Sequence, residues 1–248
     1  MLSLTSEMVQ SFAALLLAHV LADFVFQTAG MVKAKRHPGV FFLHIAIVFM
    51  LSAAALGGAW PAVLAATVAH LGIDAVKTYG VPAPMRGTAT AFIADQAAHL
   101  LTIAAVVIYW PNAAQTGLWA AWWPELSQPA LMLSGFVVAV LAGGHVVALF
   151  MAPYANRFED FRAQGLPNAG KVIGQLERAL IFLLVVIGQP TGIGFLIAAK
   201  SLLRFEATKE QKASEYVIIG TLTSFGWALA VSSATMALIS VASTVFAR

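Results

Sequence analysis

The sequence predicts an all-α, polytopic transmembrane helical bundle, and three observations support that prediction. Of the 248 residues, 60% are hydrophobic and only 10% are charged, whereas an average soluble domain carries roughly 25% charged residues. The mean hydropathy is +0.84. Apolar stretches also recur from one end of the chain to the other. Together these observations exclude a soluble enzyme with a single terminal anchor.

We predict about six spanning helices, because a helix needs about 20 apolar residues to cross the hydrocarbon core. The predicted spans are 8–28, 40–58, 61–78, 89–110, 130–153 and 215–245. The first one is expected to be a helix of the mature protein rather than a cleaved signal, because residues 1–11 carry no Lys or Arg.

The apolar region 174–205 is interrupted by Gln189-Pro190-Thr191-Gly192, and each half is shorter than the bilayer core requires. A single kinked crossing would leave Lys200 and Arg204 outside, against the positive-inside trend. A re-entrant or interfacial helical hairpin would return them to the cytoplasm, and we prefer it. The chain thus divides into a five-helix membrane domain, 1–153, and a region 154–248 with a cytoplasmic loop, this hairpin and the final span.

Basic residues predict the orientation of the chain. Segments 29–39, 77–88 and 154–173 carry Lys and Arg, whereas 57–61 and 111–128 carry neither. The positive-inside rule places the three basic segments in the cytoplasm and the N-terminus outside. The formal net charge of +3 is the modest excess that Lys and Arg of cytoplasmic loops would give, so no nucleic-acid partner is expected.

Five predicted spans carry ionisable residues, counting His145 in 130–153, and a charged residue costs at least about 2.5–3.5 kcal/mol at the centre of a bilayer. The pairs His19–Asp23, His70–Asp74 and Asp95–His99 are each four residues apart, so each pair lies on one helix face. The full set without His145 is His19, Asp23, His44, His70, Asp74, Asp95 and His99. With about 1.5 Å of rise per residue, all seven fall in the cytoplasmic half of the bilayer, which predicts one site reached from the cytoplasm.

Imidazole and carboxylate groups without cysteine indicate a divalent metal, with zinc as the first choice. All seven residues are candidate ligands, which is enough for two ions, and Asp23, Asp74 and Asp95 are the candidate catalytic carboxylates. Three alternatives remain open: an ion or proton pathway, a structural hydrogen-bond network and haem ligation. His145 follows Gly143-Gly144 and is interpreted as a packing residue.

Basic residues at the edges of the broken region predict a site for an anionic group. Arg178, Lys200 and Arg204 would gather at its cytoplasmic end if the hairpin forms, and such side chains favour phosphate. The alternative is ordinary contact with lipid headgroups.

Three motifs resemble an uncharacterised family of bacterial inner-membrane proteins, the domain of unknown function 3307. They are Leu17-Ala18-His19-Val20-Leu21-Ala22-Asp23-Phe24, His70-Leu71-Gly72-Ile73-Asp74 and Asp95-Gln96-Ala97-Ala98-His99. The resemblance covers roughly 8–110 and continues over 174–225, and it implies a multi-pass protein of the bacterial inner membrane without assigning an activity. The His/Asp pattern is similar, more loosely, to inner-membrane metal-dependent hydrolases.

The sequence therefore favours a membrane-embedded metal-dependent hydrolase or transferase acting on an amphipathic or phosphorylated substrate. The main alternative is a proton- or ion-coupled transporter or channel that uses the same polar stripe. A second alternative is a structural membrane subunit. The expected partners are the lipid bilayer and an amphipathic or anionic substrate, and the sequence is compatible with a homo-oligomer.

Overall fold

The computed structural model describes residues 4–155, 168–205 and 211–247. Over these ranges every regular element is a helix, which confirms the predicted all-α class. The α-helices are α1 Ser6–Leu21, α2 Ala29–Ala34, α3 Pro38–Leu56, α4 Trp60–Ala75, α5 Ala83–Arg86, α6 Ala89–Tyr109, α7 Trp123–Val137, α8 Gly143–Ala155, α9 Ala169–Val186, α10 Gly192–Phe205 and α11 Gln211–Phe246. Segments Ala22–Phe26, Val76–Gly80 and Val138–Ala142 are π-helical.

Within the described ranges, five helical stretches are long and apolar enough to cross a membrane. This finding confirms a polytopic membrane protein. The five stretches are Ser6–Phe26, Pro38–Leu56, Ala89–Tyr109, Trp123–Tyr154 and Ser214–Phe246. Four of them start within two residues of a predicted span, whereas the stretch predicted to begin at residue 130 begins at Trp123 because α7 starts there.

The predicted span 61–78 forms a helix of spanning length, because α4 continues into the π-helical segment Val76–Gly80. It is not among the five apolar stretches. His70, Asp74 and Lys77 lie on this helix and lower its hydropathy. The charged side chains of this helix therefore need protein rather than lipid around them.

Local sequence signals explain where several helices begin and end. The side-chain oxygens of Thr5 and Thr88 accept hydrogen bonds from backbone N–H groups in the first turns of α1 and α6, which is the usual N-cap arrangement. Pro38 occupies the first position of α3, where its missing N–H costs nothing. Gly57 ends α3 with φ +62°, a conformation that other L-residues rarely adopt.

The chain forms two compact units, and the first contains the described residues up to 137 together with 237–247. Its centre is α1, whose spanning stretch is 56% buried, the largest share of the five. α1 packs against α3, α6 and α7. Many of its buried positions are small: Ala13 and Ala14 are fully buried and Ala18 nearly so, and Ala22, at the start of the following π-helical segment, is fully buried. Small residues let helix backbones approach closely, which is the main source of helix association in membranes.

The second unit comprises the described residues between 138 and 236. Its core contains Ile181 from α9, Ile193 from α10, and Phe225 and Ala228 from α11. Residues 187–191 separate α9 from α10, at the interruption that the sequence predicts. Whether this helical pair re-enters or crosses the membrane stays a prediction.

We predict that Gly117→Ala destabilises the first unit by about 1–3 kcal/mol, the usual cost of overpacking. A Cβ at Gly117 would lie 1.8 Å from the carbonyl oxygen of Leu56, and the neighbouring Leu118 N–H donates to the carbonyl of Gly57. Thermal unfolding of the detergent-purified protein measures the effect. Gly226→Ala is the control, because a Cβ there meets nothing within 4 Å. Equal unfolding temperatures for the two variants would contradict the prediction.

Candidate metal centre

Four helices of the first unit bring the seven predicted site residues together in one cluster. α1 carries His19, and Asp23 follows in the π-helical segment Ala22–Phe26. α3 contributes His44, α4 contributes His70 and Asp74, and α6 contributes Asp95 and His99. We call these seven residues the His/Asp cluster. Six of them are less than 9% exposed, and the side chain of Asp23 is 9% exposed.

The centre of the cluster is a group of four atoms, which we call the cage: His44 Nε2, His70 Nε2, Asp23 Oδ1 and Asp74 Oδ2. His44 Nε2 lies 3.2 Å from His70 Nε2, 3.3 Å from Asp74 Oδ2 and 3.4 Å from Asp23 Oδ1. His70 Nε2 lies 3.5 Å from each of the two carboxylate oxygens. Each imidazole nitrogen therefore contacts the three other atoms of the cage.

Three of the four cage residues, Asp23, His44 and His70, form a group that could hold a metal ion, and their ligand atoms lie 3.2–3.5 Å apart. Zn²⁺ holds nitrogen and oxygen ligands at roughly 2.0–2.1 Å, which separates the ligands of a tetrahedron by about 3.3 Å. Hydrogen bonds alone account for the contacts less well, because a neutral imidazole carries one proton. The two Nε2 atoms can therefore donate at most two hydrogen bonds, whereas five short distances join the cage atoms.

A second group of potential ligands contains His19, His70 and His99, whose ligand atoms lie within 4.8 Å of one another. The rings of His19 and His99 stack with centroids 4.9 Å apart, and the centroids of His70 and His99 are 4.2 Å apart. We call these three residues the triad. His70 belongs to both the cage and the triad.

Two lysines neutralise carboxylates at the edge of the cluster. Lys35 Nζ lies 2.8 Å from Asp74 Oδ2, and Lys77 Nζ lies 2.7 Å from Asp95 Oδ2. Both lysine side chains are partly exposed, at 16% and 26%. Asp74 and Asp95 thus each face a lysine, and both lie outside the two groups of potential metal ligands, although the sequence places both among the candidate ligands.

The charges of the cluster do not balance. With neutral imidazoles, Asp23, Asp74 and Asp95 bring three negative charges, and Lys35 and Lys77 bring two positive ones. Asp23 is the carboxylate left over: among the described residues, no Lys or Arg nitrogen lies within 4.0 Å of it. A buried, uncompensated charge is strongly unfavourable, so the cluster needs a further cation or proton.

Gln96 joins the parts of the cluster, and sequence reasoning did not assign it a role. Its Nε2 atom donates to Asp23 Oδ2 and Asp95 Oδ2, both at 3.2 Å, and its Oε1 atom lies 3.3 Å from His19 Nε2. The sequence indication for Gln96 is that its amide side chain follows Asp95 inside an apolar span. Lys35 was also missed, because nothing in the spacing of a basic loop indicates which carboxylate it reaches.

A small cavity adjoins the triad. Its volume is about 20 Å³, which exceeds the roughly 10–15 Å³ that one water molecule requires. His19, His70 and His99 form its polar wall together with Ser52 and Thr102, and the remaining lining is apolar: Leu15, Val48, Ala66 and Ile103.

The basic residues predicted to bind an anionic group lie in the second unit, where two of them have other partners. Arg178 is 3% exposed; its Nε and Nη2 atoms donate to the carbonyl of Val140, and Nη1 donates to Ser224 Oγ. Lys200 pairs with Glu177 at 2.7 Å. The side chain of Arg204 lies outside the described residues. Anion binding by these three residues stays a prediction.

Fold and cluster together define a helical membrane protein with a buried His/Asp site. Residues 11–124 match the family described as "Protein of unknown function (DUF3307)", which confirms the resemblance carried by the three sequence motifs. All residues of the His/Asp cluster fall inside the matched range, whereas the resemblance suggested for 174–225 lies outside it. No curated protein and no solved structure matches the chain.

We predict that Lys77→Met destabilises the protein by about 1–3 kcal/mol, since it leaves the buried carboxylate of Asp95 without its ion-pair partner. Adding Asp95→Asn should recover most of this loss, because the amide carries no charge. Thermal unfolding in detergent measures both variants. Lys33→Met removes an exposed lysine and is the matched control. If Lys77→Met unfolds like the control, the ion pair contributes nothing to stability.

Proposed function

We propose that this protein is a membrane-embedded metal-dependent hydrolase or transferase whose metal ion is held by the cage. The observation that carries the proposal is the set of five distances between 3.2 and 3.5 Å among two imidazole nitrogens and two carboxylate oxygens. The uncompensated charge of Asp23 supports it, because a divalent cation bound beside that carboxylate removes the cost of burying it.

Zinc is the proposed ion, since imidazole and carboxylate ligands suit it and no thiolate is available in a chain without cysteine. Manganese or iron would fit the same ligands less specifically. His44, His70 and Asp23 would bind the ion, which leaves one tetrahedral position for water. An ion bound there would lower the pKa of this water to about 7 and would polarise a substrate oxygen.

The cluster supplies the remaining groups for hydrolysis. A carboxylate that does not bind the ion would accept the proton of the attacking water; Asp74 suits this role, because its Oδ2 atom lies 3.3 Å from His44 Nε2 but outside the groups of potential ligands. The water oxygen would bond to the acyl or phosphoryl centre as the ester bond breaks, and the leaving oxygen would take up the proton held by that carboxylate. The buried position of the cluster favours an amphipathic substrate whose ester group reaches the site from the bilayer surface.

We propose the bacterial inner membrane as the location, with the N-terminus outside and the basic segments in the cytoplasm. Two placements support this orientation. Lys35 and Lys77 belong to the basic segments 29–39 and 77–88, and both contact carboxylates of the cluster. The cluster therefore lies at the end of the bundle that carries the basic residues, where the positive-inside rule expects the cytoplasm.

A proton or ion pathway is the second candidate, and one observation favours it. Short contacts connect Lys35, Asp74, His70, Asp23 and, through Gln96, Asp95 and Lys77. Such a chain of titratable groups is typical of proton relays in transporters. Both of its partly exposed ends are lysines of predicted cytoplasmic segments, which suits local proton exchange better than transfer across the membrane.

We predict at least about one equivalent of zinc, manganese or iron in the detergent-purified protein, and a loss of most of it in His70→Ala, because His70 belongs to both groups of ligands. Elemental mass spectrometry measures the metal content. The control is His145→Ala, since His145 donates to the carbonyl of Leu141 in the second unit. An absorption spectrum without a Soret band in the same sample would rule out haem.

The outcome separates the candidate functions. Metal in the wild type, together with metal-dependent hydrolysis of phosphoester or peptide substrates that His70→Ala lacks, supports the proposal. A protein that binds no metal even after repletion contradicts it. Proton or cation flux in liposomes would then test the pathway.

A further inference from the structure

We infer that the triad of His19, His70 and His99 binds a second divalent metal ion, next to the ion in the cage. This inference deepens the proposed metal-dependent function and rests on it. It goes further by assigning the second ion to a site with three protein ligands and an open coordination position, which is the arrangement of catalytic rather than structural zinc.

The first observation is the protonation state of His99. Its Nδ1 atom lies 2.9 Å from the backbone carbonyl of Asp95, and a carbonyl only accepts hydrogen bonds. Nδ1 therefore carries the proton, and the lone pair is on Nε2. That atom is buried and has no hydrogen-bond partner among the described residues. A histidine held through its other ring nitrogen in this way is typical of metal ligands.

The second observation is the protonation state of His19, which follows from Gln96. The Nε2 atom of Gln96 donates to Asp23 and Asp95, so its Oε1 atom is the end that faces His19 Nε2 at 3.3 Å. Because Oε1 only accepts, His19 Nε2 carries the proton and Nδ1 carries the lone pair. His19 Nδ1 is also buried without a hydrogen-bond partner among the described residues.

Two buried nitrogen lone pairs are thus presented by rings that stack 4.9 Å apart. They come from different helices, and the hydrogen bonds that orient them involve atoms outside the triad. His70 completes the group, with all three ligand atoms within 4.8 Å of one another. Buried acceptors without donors are costly, and a cation bound by His19 Nδ1 and His99 Nε2 would remove that cost. Because each ring nitrogen has one lone pair, His70 would bind this ion through one ring nitrogen and the cage ion through the other.

The cavity beside the triad provides an open coordination position. The triad offers three protein ligands, one fewer than tetrahedral zinc binds. A volume of about 20 Å³ lies against all three triad histidines and has room for one water. The second ion would hold the attacking water in this cavity. Two ions in one centre are typical of enzymes that transfer or hydrolyse phosphoryl groups, so a phosphoester is the substrate class that fits best.

Metal stoichiometry tests the inference without relying on activity. Purified protein is loaded with Zn²⁺ or Co²⁺ in detergent, desalted and analysed by elemental mass spectrometry. We expect about two equivalents in the wild type and about one in His99→Leu, His19→Leu and the double variant. His44→Leu should lose the cage ion and keep the other. His145→Ala is the control and should keep both.

The results distinguish a failure of this inference from a failure of the proposed function. One equivalent in the wild type, lost in His44→Leu but kept in both triad variants, overturns the second ion and leaves the cage ion standing. No metal in the wild type after loading overturns both. If a leucine variant is not monodisperse on size exclusion, His99→Gln and His19→Gln keep a polar side chain. The Co²⁺ absorption bands of these variants should then lack the component that arises from the triad.

Discussion

The burial of three carboxylates among four imidazoles is the constraint on which the rest of the first unit depends. An uncompensated charge in an apolar environment costs several kcal/mol, so each helix with an Asp or His must face the others. Lys35 and Lys77 reach inward for the same reason and pair with Asp74 and Asp95. The cluster therefore decides which faces of α1, α3, α4 and α6 point away from lipid.

Backbone geometry allows the helices to bring the residues of the His/Asp cluster together. The small residues of α1 bring its neighbours close, and the helix widens into a π-turn at Ala22–Phe26, where Asp23 lies. α4 does the same at Val76–Gly80, where Lys77 lies. A π-turn inserts one residue into the helical repeat and re-aims the following side chains, and such turns are frequent at functional sites. In the described part of the first unit, both π-turns thus lie where the side chain of a charged residue must change direction to contact its partner.

The residues of the cluster could be predicted from sequence because the helical period is a local property. A four-residue spacing places His19 and Asp23 on one face whatever surrounds the helix, and the cost of intramembrane charge indicates that such faces meet. Gln96 and Lys35 could not be assigned, because their partners depend on which helices are neighbours and how each is rotated. The polar residues of α4 indicate that this helix contributes to the site. They also lower its hydropathy, so α4 is not among the five apolar stretches.

The unequal surroundings of the carboxylates explain why a metal centre fits this cluster better than a structural network. A network selected only for stability would pair every acid, because an unpaired buried acid weakens the bundle. Here Asp74 and Asp95 are paired with lysines, while Asp23 is left facing three imidazoles and an amide. The lone pairs of His19 Nδ1 and His99 Nε2 are likewise buried without a donor among the described residues. Unmet acceptors thus concentrate at two adjoining points of the cluster, and a cation at each point is what would make the arrangement stable.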